Sequence, residues 1–206
     1  RSDAGRHFID DLFLLLSMST SKIILASRSP RRKQLLEWAE IPFETVVSET
    51  DEHFPPGLPP EQVAVYIARN KALAVQRSGN PDEIILAADT IVLLGDNIIG
   101  KPVHREDAIS MLLALSGEKH RVITGVVIRK GDKEIAFADI TDVEFHRITV
   151  SEIEFYVDKY KPYDKAGAYA IQEWIGVVGI KSIHGDFYNV MGLPVSRVVQ
   201  ALATIG

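Results

Sequence analysis

The chain has 206 residues, of which 46% are hydrophobic and 25% charged, a balance that excludes a disordered chain and allows one sizeable domain. Its net charge of −5 disfavours nonspecific binding of nucleic acid through a globally basic surface. Because the sequence contains no cysteine, disulfides, thiolate catalysis and cysteine-ligated zinc are excluded, and the composition fits a cytoplasmic protein.

Residues 1–17 are interpreted as a leader or N-terminal extension, and residues 18–206 as a single domain that starts at Met18. The apolar run at residues 12–16 is far shorter than the roughly 20 residues that span a bilayer, so no membrane association is expected. A docking helix is the alternative interpretation of the first 17 residues.

Strands and helices alternate in the first part of the chain. The apolar residues 22–26 predict a buried strand, and Pro30 is well placed to begin a helix through residue 39, because the first turn does not need its N–H. A second strand is predicted at residues 43–47. The spacing of apolar residues then predicts an amphipathic helix at residues 61–77.

The next apolar run, residues 84–87, predicts a buried strand that ends at Asp89 and Thr90. Residues 91–94 and 97–99 follow it and flank a Gly-Asp pair that is typical of a hairpin.

The second half of the chain mixes hairpins with helices. Ser151, with Glu154 three residues later, predicts the start of a helix by a capping box. The other predicted elements are a helix at 105–115, strands at 121–129 and 134–145 joined by a hairpin, a strand at 177–183 and a closing helix at 194–203. This pattern predicts an α/β fold with a mixed, twisted sheet flanked by helices.

A candidate anion site lies between the first strand and the first helix, where the sequence reads SRSPRR and includes Ser27, Arg31 and Arg32. Backbone N–H groups at a helix start attract anions, and arginines add forked donors. Phosphate binding is one interpretation; a helix cap with solvated arginines is the other.

Asp89 is the main candidate for acid chemistry. A carboxylate after an apolar strand lies where α/β sheets open their ligand crevices, and it can hold Mg²⁺ or act as a base toward water. A turn or cap aspartate is the alternative.

Four other features are weaker candidates when each is taken alone. Lys71 and Lys101 can reach a phosphate, although solvated lysines are common. One carboxylate of the acidic stretch 49–52 could share a metal with Asp89, and Gln172 offers a donor and an acceptor that suit a base edge.

Five short segments occur in a characteristic order: ASRSPRR at 26–32, ADT at 88–90, GKP at 100–102, DKAGAY at 164–169 and GLP at 192–194. Together they resemble the Maf family of nucleotide pyrophosphatases, from about Lys22 to the C-terminus. The resemblance implies a catalytic domain with two lobes around a central cleft, distantly similar in architecture to inosine-triphosphate pyrophosphatases.

The resemblance also implies roles for individual residues. Asp89 matches the acidic catalytic residue, a proton acceptor or metal ligand, and Glu52 matches its acidic companion, so that both would hold Mg²⁺ or Mn²⁺. The residues that match phosphate-handling positions are Ser27, Arg32, Lys71 and Lys101.

Arg31, Thr90 and Gln172 match positions that distinguish the branch acting on dTTP and UTP from the branch acting on 7-methyl-GTP. This chain departs from the pattern nearby. Ala170 stands where glycine is often found, and Glu173 is followed by a tryptophan where small residues are common.

The resemblance therefore implies a cytoplasmic enzyme that hydrolyses dTTP and UTP to the monophosphate and pyrophosphate, without nucleic-acid or membrane partners, and a homodimer is plausible. Two alternatives stay open. One is a nucleotide-binding regulator of septum formation without turnover, and the other is the same fold acting on another nucleotide, such as 7-methyl-GTP.

Overall fold

The computed structural model describes residues 22–47, 49–50, 53–77, 80 and 82–205. The expected leader at residues 1–17 and the predicted acidic residue Glu52 lie outside these ranges. Within them, every helix is too short or too polar to cross a bilayer.

The elements of the described ranges follow the predicted order closely. The strands are β1 (Ile23–Leu25), β2 (Glu44–Thr45), β3 (Ile84–Leu94), β4 (Asn97–Ile99), β5 (Lys119–Lys130), β6 (Lys133–Phe145) and β7 (Ile180–His184). The α-helices are α1 (Pro30–Trp38), α2 (Pro60–Gln76), α3 (Arg105–Leu115), α4 (Val150–Tyr160), α5 (Trp174–Gly179), α6 (Phe187–Met191) and α7 (Val195–Ile205).

The described strands form one mixed sheet in the order β2-β1-β3-β5-β6-β7, with β4 paired to β3. β1 lies parallel to β2 and β3, whereas β3 pairs antiparallel with β4 and β5, β5 with β6, and β6 with β7. The predicted α/β class with a mixed sheet flanked by helices is therefore confirmed.

The sheet separates two apolar layers. Side chains of a strand alternate between its faces, and β3 sends Ile85 and Ile91 to the layer formed with α2. It sends Leu86 and Val92 to the larger layer, which contains residues of α1, α3, α4 and α7. Both faces of β3 are thus buried, which explains its nearly continuous apolar sequence.

Helix α2 lies unusually close to the sheet because glycine stands at position 125 on β5. A Cβ at Gly125 would lie 2.3 Å from the carbonyl carbon of Ala64, a distance that no real side chain tolerates. Ala64, Ala68 and Ala72 lie fully buried along the same helix. These small residues allow close packing, which fixes the position of α2 over β3 and β5.

The prediction that a strand ends at Asp89 is wrong. β3 continues through Asp89 and Thr90 to Leu94, because β5 pairs with it from Ile85 to Leu93 without interruption. Strand pairing between distant segments supplies the hydrogen bonds that a local apolar pattern does not reveal.

The predicted capping box at Ser151 is also wrong. The box is formed by Thr149 and Glu152, and α4 begins at Val150. This register places Ile148 and Ile153 in the buried core on either side of the cap, an arrangement known as a hydrophobic staple.

The predicted strand at residues 177–183 is half correct. Residues 177–179 belong to the short helix α5, and β7 begins only at Ile180. The pairing of β6 with β7 covers only residues 180–184 of β7. The β-branched residues Val177 and Val178 therefore lie in α5, although their type favours a strand.

Candidate active site

One edge of β3 contains a gap. Along this edge, β1 pairs with residues 84–86 and β4 pairs with residues 92–94. No strand of the described ranges pairs with residues 87–91 on that edge, although β5 pairs along the opposite edge throughout. Asp89 and Thr90 therefore lie at an opening in the sheet.

Two distant segments meet at this gap because the strands that carry them end there. β1 runs parallel to β3 and reaches the gap at Ala26, whose N–H donates to the carbonyl of Leu86 at 2.8 Å. β4 runs antiparallel to β3 and ends at Ile99 opposite Val92. The SRSPRR segment and Lys101 follow directly after these two strand ends.

A cavity of about 570 Å³ lies at the gap, a volume within the range of small-molecule sites. Among its described lining residues, six side chains are cationic and three are carboxylates. The cavity therefore has an excess of three positive charges in a chain whose net charge is −5. Seven predicted site residues line it: Ser27, Arg31, Arg32, Lys71, Asp89, Thr90 and Lys101.

Asp89 points from β3 toward α2, where it meets Lys71. The Lys71 Nζ donates to Asp89 Oδ1 at 2.6 Å, and the two side chains are only 18% and 11% exposed. Gly125 is the residue of β5 that pairs with Asp89, and α2 packs closely against it. This packing fixes the helix that carries Lys71 relative to the strand that carries Asp89.

Thr90 points to the other face, where Arg32 connects three segments. The guanidinium donates to the Gly192 carbonyl at 2.7 Å, to Ser27 Oγ at 3.2 Å and to Thr90 Oγ1 at 2.9 Å. Gly192 ends α6 with φ of +116°, a conformation that L side chains rarely adopt. The buried Arg32 thus fixes the loop after β1 against β3 and α6.

A second charged cluster borders the cavity around Asp164. Arg31 Nη1 donates to Asp164 Oδ2 at 2.9 Å, and Lys165 Nζ donates to Asp164 Oδ1 at 2.7 Å. Lys165 Nζ also lies 3.5 Å from a carboxylate oxygen of Glu173. Burial raises the pKa of Asp164, but the hydrogen bonds and charges of Lys165 and Arg31 outweigh this effect and place it below its usual value.

Tyr156 connects to this cluster through Glu173. Its hydroxyl donates to Glu173 and accepts a hydrogen bond from the N–H of Ala170 at 3.2 Å. Burial, together with the hydrogen bond and charge of Glu173, raises the pKa of Tyr156 far above its usual value. Tyr156 therefore remains a hydrogen-bond donor to Glu173 at neutral pH.

A buried aromatic cluster supports Tyr169, which lines the cavity. The Tyr169 hydroxyl and His120 Nε2 are 2.7 Å apart, and both rings contact Phe145 edge to face. Burial lowers the pKa of His120 to about 4, so the imidazole is neutral at pH 7. His120 therefore acts as a neutral partner of the tyrosine.

The acidic side chains at the cavity suit a cation that is shared with a phosphate ligand. In the described part of the chain, no three histidine or carboxylate side chains come together as a complete metal site. Mg²⁺, however, commonly uses one or two carboxylates together with substrate phosphates and water. Asp89 in a cavity rich in cationic side chains fits this type of site.

Comparison with known proteins gives a consistent result. Residues 22–205 match a family described as "Maf-like protein". A Parabacteroides distasonis protein named "dTTP/UTP pyrophosphatase" is 48% identical over 190 residues, which cover 92% of this chain and 98% of the relative. The chain belongs to the Maf family.

Two further Maf proteins are also named "dTTP/UTP pyrophosphatase". The protein of Cytophaga hutchinsonii is 49% identical over 185 residues, which cover 90% of this chain and 84% of the relative. The protein of Porphyromonas gingivalis is 43% identical over 196 residues, which cover 94% and 98% of the two chains.

The Maf fold does not bring Gln172 into contact with the cavity. Gln172 is absent from the described residues that line it, although its Oε1 atom is buried and has no hydrogen-bond partner in the same ranges. Gln172 follows the lining residue Ala170 by two positions in the sequence, and its role stays a prediction.

Lys165 is a cavity residue for which the sequence predicted no role. It lines the cavity, and its side chain is only 8% exposed. The signal was its position inside the DKAGAY segment, but a lysine in a loop is usually solvated. Only the fold shows that this ammonium group is buried between two carboxylates.

Proposed function

We propose that this Maf protein hydrolyses dTTP and UTP to the nucleoside monophosphate and pyrophosphate. Three relatives named "dTTP/UTP pyrophosphatase" are 43–49% identical to this chain, and the aligned regions cover 84–98% of their lengths. The family and the near-complete coverage support the transfer of this activity to the present chain.

One observation carries the proposal. The ion pair of Asp89 and Lys71 lies at the gap in the sheet, inside a cavity where cations outnumber carboxylates by six to three. A triphosphate needs cationic partners for its oxygens, and its hydrolysis needs a carboxylate near the reacting phosphorus. This cavity supplies both.

In the proposed reaction, a water oxygen forms a bond to the α-phosphorus while the bond to the α,β-bridging oxygen breaks. Pyrophosphate leaves with that oxygen, and Asp89 takes the proton of the attacking water. Lys71 holds Asp89 Oδ1 at 2.6 Å, which aims the second carboxylate oxygen as the proton acceptor. The proton then passes to solvent and restores the carboxylate.

The remaining predicted residues have positioning roles in this proposal. Ser27, Arg32, Lys71 and Lys101 offset the negative charge on the phosphate oxygens. Arg31 and Thr90, which line the cavity, recognise the pyrimidine nucleotide, and Gln172 supports this recognition from outside the described lining. Asp89, with Glu52 as its proposed companion, would hold a divalent cation that adds Lewis acidity at the phosphates.

The test is a panel of nucleoside triphosphates with Mg²⁺ or Mn²⁺, in which release of pyrophosphate is measured. We expect release from dTTP and UTP and its loss after treatment with EDTA. Preference for 7-methyl-GTP would replace the proposed substrate. Nucleotide binding without pyrophosphate release would favour the regulator of septum formation instead.

We also propose a cytoplasmic location, where the nucleotide pool is found, and a homodimer. Light scattering of the purified protein across a concentration series would measure its mass. A monomeric mass at all concentrations would contradict the dimer.

A further inference from the structure

The cavity has an apolar end on the face of the sheet opposite α2. Val92 lies on the same face of β3 as Thr90, and it pairs in register with Val122 of β5. Both valines line the cavity, as do Ala166, Tyr169 and Met191. A nucleoside triphosphate has one charged end and one flat base, so this apolar end is the candidate position for the base, with the phosphates near Lys71.

Lys165 is placed beside this apolar end. It directly precedes Ala166 in the chain, lines the same cavity and is linked through Asp164 to Arg31. A lysine with an 8% exposed side chain is costly unless its charge is paired. Asp164 at 2.7 Å and Glu173 at 3.5 Å provide that pairing.

The two carboxylates hold Lys165 in one position without using all its hydrogen-bonding capacity. An ammonium group has three donors and no acceptor, so at least one donor remains for a ligand. Glu173 is itself fixed by the hydroxyl of the fully buried Tyr156. Lys165 is therefore a fixed group that can only donate.

A fixed group that can only donate distinguishes two classes of pyrimidine. Thymine and uracil have a carbonyl acceptor at position 4, whereas cytosine has an amino donor there. An ammonium group facing this position forms a hydrogen bond with thymine or uracil and places two donors against each other with cytosine. A site with a buried unsatisfied donor strongly rejects the mismatched ligand.

We propose that Lys165 is a specificity-determining residue that donates to the 4-carbonyl of the base, and that Glu173 is its positioning residue. This inference rests on the proposed function, because it assigns the base-reading donor of the same cavity. It predicts selection of dTTP and UTP over dCTP and CTP by the chemistry of one side chain.

The experiment compares kcat/KM for dTTP and dCTP in the wild type and in Lys165→Met. We expect the preference for dTTP over dCTP to fall at least tenfold, because the loss falls on dTTP. Inhibition by inorganic tripolyphosphate should stay unchanged, since this probe has no base. Lys119→Met removes a lysine whose side chain is 76% exposed and should leave both quantities unchanged.

Equal losses for dTTP and dCTP, with weaker inhibition by tripolyphosphate, would show that Lys165 contacts phosphate and would overturn the inference. A wild type that does not discriminate between the two nucleotides would also overturn it. Glu173→Gln removes the charge and replaces one of the two acceptor oxygens by an NH2 donor, and a positioning role predicts a smaller fall in the same preference.

Thermal unfolding checks that each variant folds. If Lys165→Met does not fold, Lys165→Arg and Glu173→Gln replace it as test variants. We expect Glu173→Gln to lower the preference for dTTP over dCTP, and the inference is overturned if neither variant changes that preference.

Binding of α,β-imido-dUTP and α,β-imido-dCTP separates this inference from the proposed function. A wild type that does not hydrolyse dTTP contradicts the proposed function, while its preference between these analogues still tests Lys165.

Discussion

Individual side chains at the cavity combine structural and chemical roles. Arg32 donates to Gly192, Ser27 and Thr90, and so connects the loop after β1 with α6 and β3. Thr90 continues this network to Thr124 at 2.9 Å, and Thr124 donates to the carbonyl of Asn189 at 3.0 Å. The shape of the cavity therefore depends on buried polar contacts.

Substitution of Arg32 by lysine should weaken both stability and substrate binding. Lysine keeps the charge but cannot form the fork that reaches three acceptors, so we expect the free energy of unfolding to fall by about 2 kcal/mol. KM for dTTP should rise as well. Urea unfolding and steady-state kinetics measure the two effects, with the exposed Arg77→Lys as a control. Wild-type stability in Arg32→Lys would contradict the structural role of the guanidinium.

Asp89→Asn should affect turnover without a large effect on folding. Asparagine has nearly the same shape but cannot take the proton of water, so we expect kcat for dTTP to fall about 100-fold or more. The matched control is Asp132→Asn, at an exposed turn between β5 and β6. Release of pyrophosphate measures turnover and thermal unfolding measures folding; nearly normal turnover would remove Asp89 from the chemistry.

At the scale of elements, the site depends on how α2 packs on the sheet. α2 carries Lys71, β3 carries Asp89, and Gly125 of β5 lies directly opposite Asp89. The absence of a side chain at Gly125 permits the short distance between helix and sheet. The same feature therefore stabilises the fold and sets the geometry of the ion pair.

Gly125→Ala should push α2 away from β5. The added methyl would meet the backbone of Ala64, so we expect the free energy of unfolding to fall by about 1–3 kcal/mol. Turnover should fall in the folded fraction, because Lys71 moves relative to Asp89. At Gly100 an added methyl meets no atom within 4 Å, and Gly100→Ala is the control for stability. Equal stabilities of the two variants would contradict this account of the packing.

At the scale of the whole molecule, charge is distributed unevenly. The chain has a net charge of −5, yet the described lining of the cavity has three positive charges in excess. This contrast favours anionic small molecules at the cavity. Steering of nucleotides should therefore weaken as ionic strength rises.

Acid stability is a further property of the whole molecule, and His120 contributes to it. Its pKa is about 4 in the folded protein and near 6.5 when unfolded, so the unfolded state binds more protons between these values. Stability from this group is full above pH 6.5 and is lost as the pH falls toward 4. Between pH 7 and pH 5 the loss is about 2 kcal/mol by linkage.

Urea unfolding at several pH values measures this slope. His120→Gln should flatten it between pH 7 and pH 5, whereas replacement of the exposed His184 by glutamine should leave it unchanged. The same slope in His120→Gln and in the wild type would assign the effect to other groups.

The order and type of most elements follow from the sequence alone. Pro30 begins α1, the apolar spacing of α2 matches the prediction within one residue, and α3 spans the predicted residues 105–115. These features are local, because helix starts and apolar periodicity depend on residues a few positions apart. The short segments around Ser27, Asp89 and Lys101 likewise indicated the family and six of the predicted residues that line the cavity.

The tertiary structure alone decided where those residues meet. The continuity of β3, the gap between β1 and β4, and the contact of Arg31 with Asp164 across 133 positions depend on pairing between distant parts of the chain. Burial of Lys165 between two carboxylates has the same origin. A local pattern records which side chains are available, whereas long-range strand pairing and close packing of α2 determine which of them share one cavity.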